Sequence, residues 1–167
     1  MKKIVLVCML AAVGVCQLSA QKIADTFWGS KFGVTYEEVY DNLVAASLEP
    51  IIADADIYLK DNVVYGISFQ TIGFKFTSED AFYNIFGYNK FTTKQEATDN
   101  FTEAYGKIRE QYPSVQAMSR TEGCLKLYAF ADGDSGNAFS IGLYKGNGAF
   151  FVRLNIFSDY LLKREKR

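Results

Sequence analysis

Histidine is absent from all 167 residues of the chain. That removes the side chain most used as a general base near neutral pH and as a transition-metal ligand. Ser-His-Asp and Cys-His nucleophile systems cannot be assembled, and His-ligated zinc sites are excluded. Cysteine is nearly as scarce: of three, Cys8 and Cys16 fall in the first 20 residues, which leaves Cys124. Without that leading segment no internal disulfide can form, although exported proteins often use them. Proline occurs only at Pro50 and Pro113, and both positions read as helix stops. After the first apolar run no second one of membrane-spanning length follows, so the sequence carries no transmembrane segment beyond it.

The opening is Met1-Lys2-Lys3, then apolar residues from Ile4 to Val15, then Cys16-Gln17-Leu18-Ser19-Ala20. A basic start, an apolar core and a small residue at the cut are the three parts of a secretory signal peptide. The core holds about 12 residues, where a membrane-spanning helix needs about 20. The sequence therefore predicts a cleaved signal over residues 1–20 and a single α+β domain over 21–167. The branched Val15 is too large for the position before a lipidated cysteine, which disfavours an outer-membrane lipoprotein built on Cys16. The protein is expected to be exported, to the periplasm or outside the cell. The 167 residues less 20 leave 147, one ordinary domain. With Lys2 and Lys3 gone, 16 basic residues face 19 acidic ones, a net charge of −3. A weakly acidic surface gives no electrostatic reason to bind nucleic acid. The basic run Lys163-Arg164-Glu165-Lys166-Arg167 reads as a frayed, solvated end.

What the chain has in quantity is aromatic side chains: 14 Phe and 11 Tyr. Aromatic residues favour half-buried pleated surfaces, so a strand-rich domain is expected. Two helices interrupt the strands. Thr35-Tyr36-Glu37-Glu38 and Thr93-Lys94-Gln95-Glu96 both fit a capping box. Val39, Leu43 and Ala46 follow the first at helical spacing; Ala97, Phe101, Ala104, Tyr105, Ile108 and Tyr112 follow the second. Thr35, Glu38, Asp41 and Asn42 match Thr93, Glu96, Asp99 and Asn100 at a constant offset. That match raises two half-repeats, over 27–91 and 92–158, against the alternative that capped amphipathic helices converge.

Val63, Tyr65, Ile67 and Phe69 alternate with less apolar residues and read as one strand. Lys60-Asp61-Asn62 reads as the turn before it. After a break near Thr71, Ile72, Phe74 and Phe76 continue the alternation, and Phe82 to Phe91 is a further strand. The last third is a meander: a strand from Leu125 to Ala131, a polar turn over Asp132 to Asn137, then a strand with Phe139, Ile141 and Leu143. Lys145-Gly146-Asn147-Gly148 signals a tight hairpin, after which Phe150, Val152, Leu154 and Ile156 point inward. The fold class predicted is α+β, a mainly antiparallel sheet with two helices packed on one face.

The passage from Phe27 through Gly29, Phe32-Gly33, Thr35 and Glu37-Glu38-Val39 resembles a motif near the mature start of small exported proteins of Bacteroidales-type bacteria. Tyr65-Gly66-Ile67-Ser68-Phe69 and the helix start from Phe91 to Ala97 are similar to further stretches of those proteins. The resemblance covers most of residues 27–112. It implies a tandem helix-on-sheet fold resembling the beta-lactamase-inhibitor-protein architecture, and it implies no activity. Physically the motif is a glycine turn, a cap and a helix.

Three groups of residues bear on chemistry. Asp132-Gly133-Asp134-Ser135-Gly136-Asn137 is faintly like a calcium loop, but Asn137 and Leu143 stand where Gly and Glu are needed, so it reads as a polar turn. Asp54, Asp56 and Asp61 lie on or beside one hairpin, where paired carboxylates can do acid–base work, bind a hard cation or simply be solvated. Nothing calls for a cofactor or a metal ion. The tyrosines, among them Tyr36, Tyr58, Tyr88 and Tyr144, exceed what a core requires, and such residues are favoured where one end meets water or a partner. On the last strand Phe151, Arg153 and Phe157 occupy the expected outward face, where two large apolar residues are conspicuous. With Tyr144 they form the candidate interaction surface. The sequence thus points to an exported, non-enzymatic module that binds a protein, peptide or glycan of the envelope. The alternative is a carboxylate-based enzyme acting on a glycan or another envelope substrate.

Overall fold

The computed structural model describes residues 22–119 and 122–165. The signal segment 1–20, with Cys16 and the cut at Ala20, lies outside the described residues. In chain order the elements are β1 (Thr26–Phe27), β2 (Ser30–Lys31), α1 (Tyr36–Ala45), β3 (Ile51–Ala53), β4 (Asp56–Val64), β5 (Ile67–Phe76) and β6 (Phe82–Phe91). There follow α2 (Lys94–Gln111), β7 (Gln116–Ala117), β8 (Cys124–Asp132), β9 (Asn137–Gly146), β10 (Ala149–Ser158) and α3 (Asp159–Glu165). β1 and β2 form a small hairpin; the other strands make one eight-stranded sheet in the order β3-β4-β5-β6-β10-β9-β8-β7, antiparallel throughout. The fold is α+β, as the sequence predicts.

Both helices start where the capping pattern places them. The Thr35 hydroxyl accepts from the Glu38 N–H, and the Thr93 hydroxyl from the Glu96 N–H, each at 3.3 Å. The Thr93 hydroxyl also donates to the Glu96 carboxylate at 2.7 Å. α1 buries Val39 and Leu43, while α2 buries Ala97, Phe101, Ala104 and Ile108. These join Ile57, Leu59, Ile72, Phe74, Phe82, Ile85, Phe139, Ile141, Leu143, Val152, Leu154 and Ile156 in one core cluster. Burying one such side chain stabilises the fold by about 1.5–3 kcal/mol, so one face of the sheet is committed to the helices.

Each helix is followed by a four-stranded antiparallel meander, and the two meanders join through their last strands, β6 against β10. The seam puts Gly87 opposite Leu154 and Tyr88 opposite Arg153. The aromatic-glycine motif at the start has a structural job. Trp28 and Gly29 turn β1 into β2, both with positive φ. Gly33 then bonds to the Phe82 carbonyl, and Val34 accepts from the Phe82 N–H, which docks α1 beside the sheet.

Four readings of the sequence are corrected. Val63 to Gln70 is not one strand: Tyr65 and Gly66 take left-handed φ of 52° and 72° and form the hairpin between β4 and β5. The unusual Tyr65 backbone is held because its ring packs against Phe27 and Tyr112 and its hydroxyl accepts the Ala24 N–H. Lys60-Asp61-Asn62 is not a turn; β4 runs through it, and the true turn is Asp54-Ala55, again with positive φ at both residues. The break near Thr71 is a change of phase within a continuous β5. There Asn89 replaces the backbone pairing: its side chain accepts from the Gln70 N–H at 2.7 Å and donates to the Ser68 carbonyl at 2.9 Å. The C-terminal run is also not frayed through Glu165. It forms α3, where Lys163 pairs with Asp159, Arg164 with Glu79, and the Glu165 carboxylate accepts from the N–H and hydroxyl of Ser78.

Candidate functional site

The pleat sends alternate residues of each strand to the face away from the helices. From β5, β6, β9 and β10 that outer face receives Gly73, Phe86, Tyr88, Gly142, Tyr144, Phe151, Arg153 and Phe157, as their pairing shows. Tyr88 lies opposite Arg153, Lys90 opposite Phe151, and Phe151 opposite Tyr144. An open groove of about 650 Å³ runs across the seam, lined by Lys75, Phe86, Tyr88, Lys90, Tyr144, Phe151 and Arg153.

Two glycines make the groove concave. A Cβ on Gly73 would lie 2.3 Å from the Phe86 ring, and one on Gly142 would lie 2.6 Å from the Tyr144 ring. The rings therefore rest directly on the sheet backbone. Phe86 is the floor and is itself buried. Tyr58 meets it edge-on at 6.2 Å, and Tyr88 lies beside it nearly parallel, 6.4 Å away. Two cations stand over it: the Arg153 guanidinium 5.0 Å from the ring centroid and the Lys75 ammonium 5.6 Å away. Both are within the range where the ring's negative face attracts a cation.

Lys75 also pairs with Asp56 at 2.9 Å. That hydrogen bond holds its ammonium above the ordinary lysine range, with burial acting the other way. Burial pushes the Tyr144 hydroxyl up, helped by Cys124 and opposed by Arg153. Arg153 and Lys90 make no ion pair among the described residues.

Of the four residues singled out in the sequence, the structure brings Phe151, Arg153 and Tyr144 together in this groove. Phe157 shares their face but lies at the far end of β10, opposite Asn84 and Ala138, and does not line it. Sequence reasoning missed Lys75, Phe86 and Lys90, and it named Tyr88 only among the surplus tyrosines. The stretch from Phe82 to Phe91 has aromatics on both faces, and its neighbour across the seam is about 65 positions away, so no local pattern points to it. The tyrosine excess divides. Tyr36, Tyr40, Tyr65 and Tyr128 pack against the core, whereas Tyr88 and Tyr144 face the groove.

The carboxylates lie elsewhere. Asp54 sits in the β3–β4 turn, Asp56 holds Lys75 and accepts from the Tyr58 hydroxyl at 3.3 Å, and Asp80 accepts the Tyr36 N–H at the start of α1. Asp132 closes the polar turn by accepting from the N–H groups of Asp134 and Ser135 and from the Ser135 hydroxyl. Among the described residues no group of acids and cysteines is placed to hold a metal ion, and no helix is long and apolar enough to cross a membrane.

Comparison with protein families, with curated proteins and with solved structures finds no match for this chain. The groove and its chemistry are therefore what bears on function.

Proposed function

We propose that this protein is an exported binding module that engages a partner of the envelope or the cell exterior through the open face of its sheet. The observation that carries this reading is the groove across the β6–β10 seam. Its four aromatic residues, Phe86, Tyr88, Tyr144 and Phe151, line the centre of a face that none of the described helices covers. Aromatic and arginine side chains grouped at the middle of an exposed surface are the usual composition of interaction hot spots. Export rests on the amino-terminal basic and apolar pattern.

The test is capture from an envelope extract with the purified protein, run in parallel with Phe151→Ser and with Ile52→Ser. Ile52 is 60% exposed on edge strand β3, away from the groove. The expected result is a discrete partner retained by the wild type and by Ile52→Ser but lost with Phe151→Ser. Equal capture by all three proteins, or no capture by any, would overturn the reading.

A further inference from the structure

The groove concentrates positive charge on a chain that is acidic overall, with a formal net charge of −1 over the whole sequence. Lys75, Lys90 and Arg153 are three of its seven lining residues, and no carboxylate is among them. Cations gathered in a concavity with low-dielectric walls focus their field and attract anions. Among the described residues only Lys75 of the three has a carboxylate partner, Asp56, and that pair reaches in from the β4 side. The Arg153 guanidinium stands 5.0 Å from the Phe86 ring centroid and has no carboxylate partner among the described residues. Such a guanidinium is shaped for a carboxylate, which it can hold through two parallel bonds.

The occupant can be narrowed further. Phe86 is only 7% exposed and has cations above it, so it is not a free platform for stacking a sugar ring. What a ligand meets is Arg153 and Lys90, flanked by the half-buried Tyr88, Tyr144 and Phe151. The groove is open and continuous with the sheet. Six strands of nine or ten residues, about 4.8 Å apart and rising about 3.3 Å per residue, present roughly 800 Å². A standard protein–protein interface takes about 800 Å² from each partner. Resting on the binding-module reading, we infer that the groove receives an Asp or Glu side chain of a partner polypeptide. The carboxylate sits between Arg153 and Lys90, and an apolar neighbour of that residue lies against Phe151 and Tyr144.

The test uses two blocked peptides of sequence Phe-Glu-Tyr-Glu-Phe and Phe-Gln-Tyr-Gln-Phe, with phenylacetate as a small free carboxylate. Each is titrated into the purified isotope-labelled protein while backbone amide shifts are followed at low and high salt. The acidic peptide is expected to shift amides of β6 and β10 saturably, and to bind more weakly as salt rises. Its affinity should exceed that of the Gln peptide and of phenylacetate by at least about tenfold. Arg153→Gln and, separately, Lys90→Gln should each weaken it severalfold without lowering the unfolding temperature, and Arg153→Lys should restore part of the loss. Equal binding of the acidic and Gln peptides, unchanged affinity in Arg153→Gln, shifts confined to another face, or no saturable shift would overturn the inference. Phenylacetate binding as tightly as the acidic peptide would overturn the polypeptide occupant. If Phe151→Ser abolishes capture from the envelope extract while Arg153→Gln does not, the binding module stands and the acidic occupant falls.

Discussion

The Arg153 guanidinium stands 5.0 Å from the centroid of the Phe86 ring, and Gly73 lies directly beneath that ring. Three neighbouring strands thus contribute a backbone floor from β5, a ring from β6 and a cation from β10. On the other face an equivalent contact is sealed: the Phe69 ring lies over Gly87, where a Cβ would come within 2.5 Å of it.

These two glycines give a paired prediction. Gly87→Ala forces a ring that is 1% exposed and enclosed by core residues. Overpacking there should cost about 3 kcal/mol. Gly73→Ala pushes Phe86 outward toward an open groove, so the ring can yield, and the cost should be about 1 kcal/mol. The displaced ring should instead disturb the seats of Arg153 and Lys75. Urea unfolding measures the stabilities, and the ring resonances of Phe86 report the displacement. A larger loss for Gly73→Ala than for Gly87→Ala would contradict this account.

How far the sequence carried follows from the range of each signal. The caps at Thr35 and Thr93, the Asn147-Gly148 turn and the inward series Val152, Leu154 and Ile156 are local patterns, and the structure has each of them. The turns at Asp54-Ala55 and Tyr65-Gly66 escaped because Ala and Tyr seldom adopt positive φ. At Tyr65 the packing of Phe27 and Tyr112 imposes it, a tertiary cause absent from the local sequence. Half of the groove was visible for the same reason that half was not. Phe151 and Arg153 stand out on a strand with clean alternation, whereas Phe86 and Tyr88 sit on β6, whose two faces are both buried over much of its length.

The second helix carries a cap that can be weighed directly. Thr93 accepts the Glu96 N–H and donates to the Glu96 carboxylate, and α2 supplies four buried residues to the core. Thr93→Ala should therefore lower global stability by about 1 kcal/mol. Glu96→Ala should cost less, and the double variant should lose less than the sum of the two single losses, because one contact is shared. Denaturant unfolding of the four proteins closes the cycle.

Cys124 is buried at 6% exposure, with its thiol donating toward the Lys126 carbonyl at 3.4 Å. Burial keeps a thiol from attacking reagents. In the folded protein Cys124 should react with a chromogenic disulfide at least about a hundredfold more slowly than in urea, where the chain is open. Fast modification under native conditions would mean that β8 opens locally between Cys124 and Lys126, where its pairing with β9 shifts register.

The polar turn between β8 and β9 gives the chain a titrating contact with a defined direction. The Ser135 hydroxyl bonds to the Asp132 carboxylate and holds its pKa below the ordinary aspartate value; burial opposes this, and the Asp134 and Ser135 N–H groups reinforce it. A carboxyl whose pKa is depressed on folding stabilises the fold fully above its unfolded pKa, about 3.9. That stabilisation is lost as pH falls through the folded value. Asp132→Asn keeps the shape and some of the bonds but removes the charge, so it should cost about 1 kcal/mol near neutrality. The gap between the two proteins should stay constant down to about pH 5 and then narrow toward pH 2, as the wild-type carboxylate takes up its proton. Urea unfolding across that range measures it. A gap that does not narrow would mean that Asp132 acts through shape alone, with the turn indifferent to its charge.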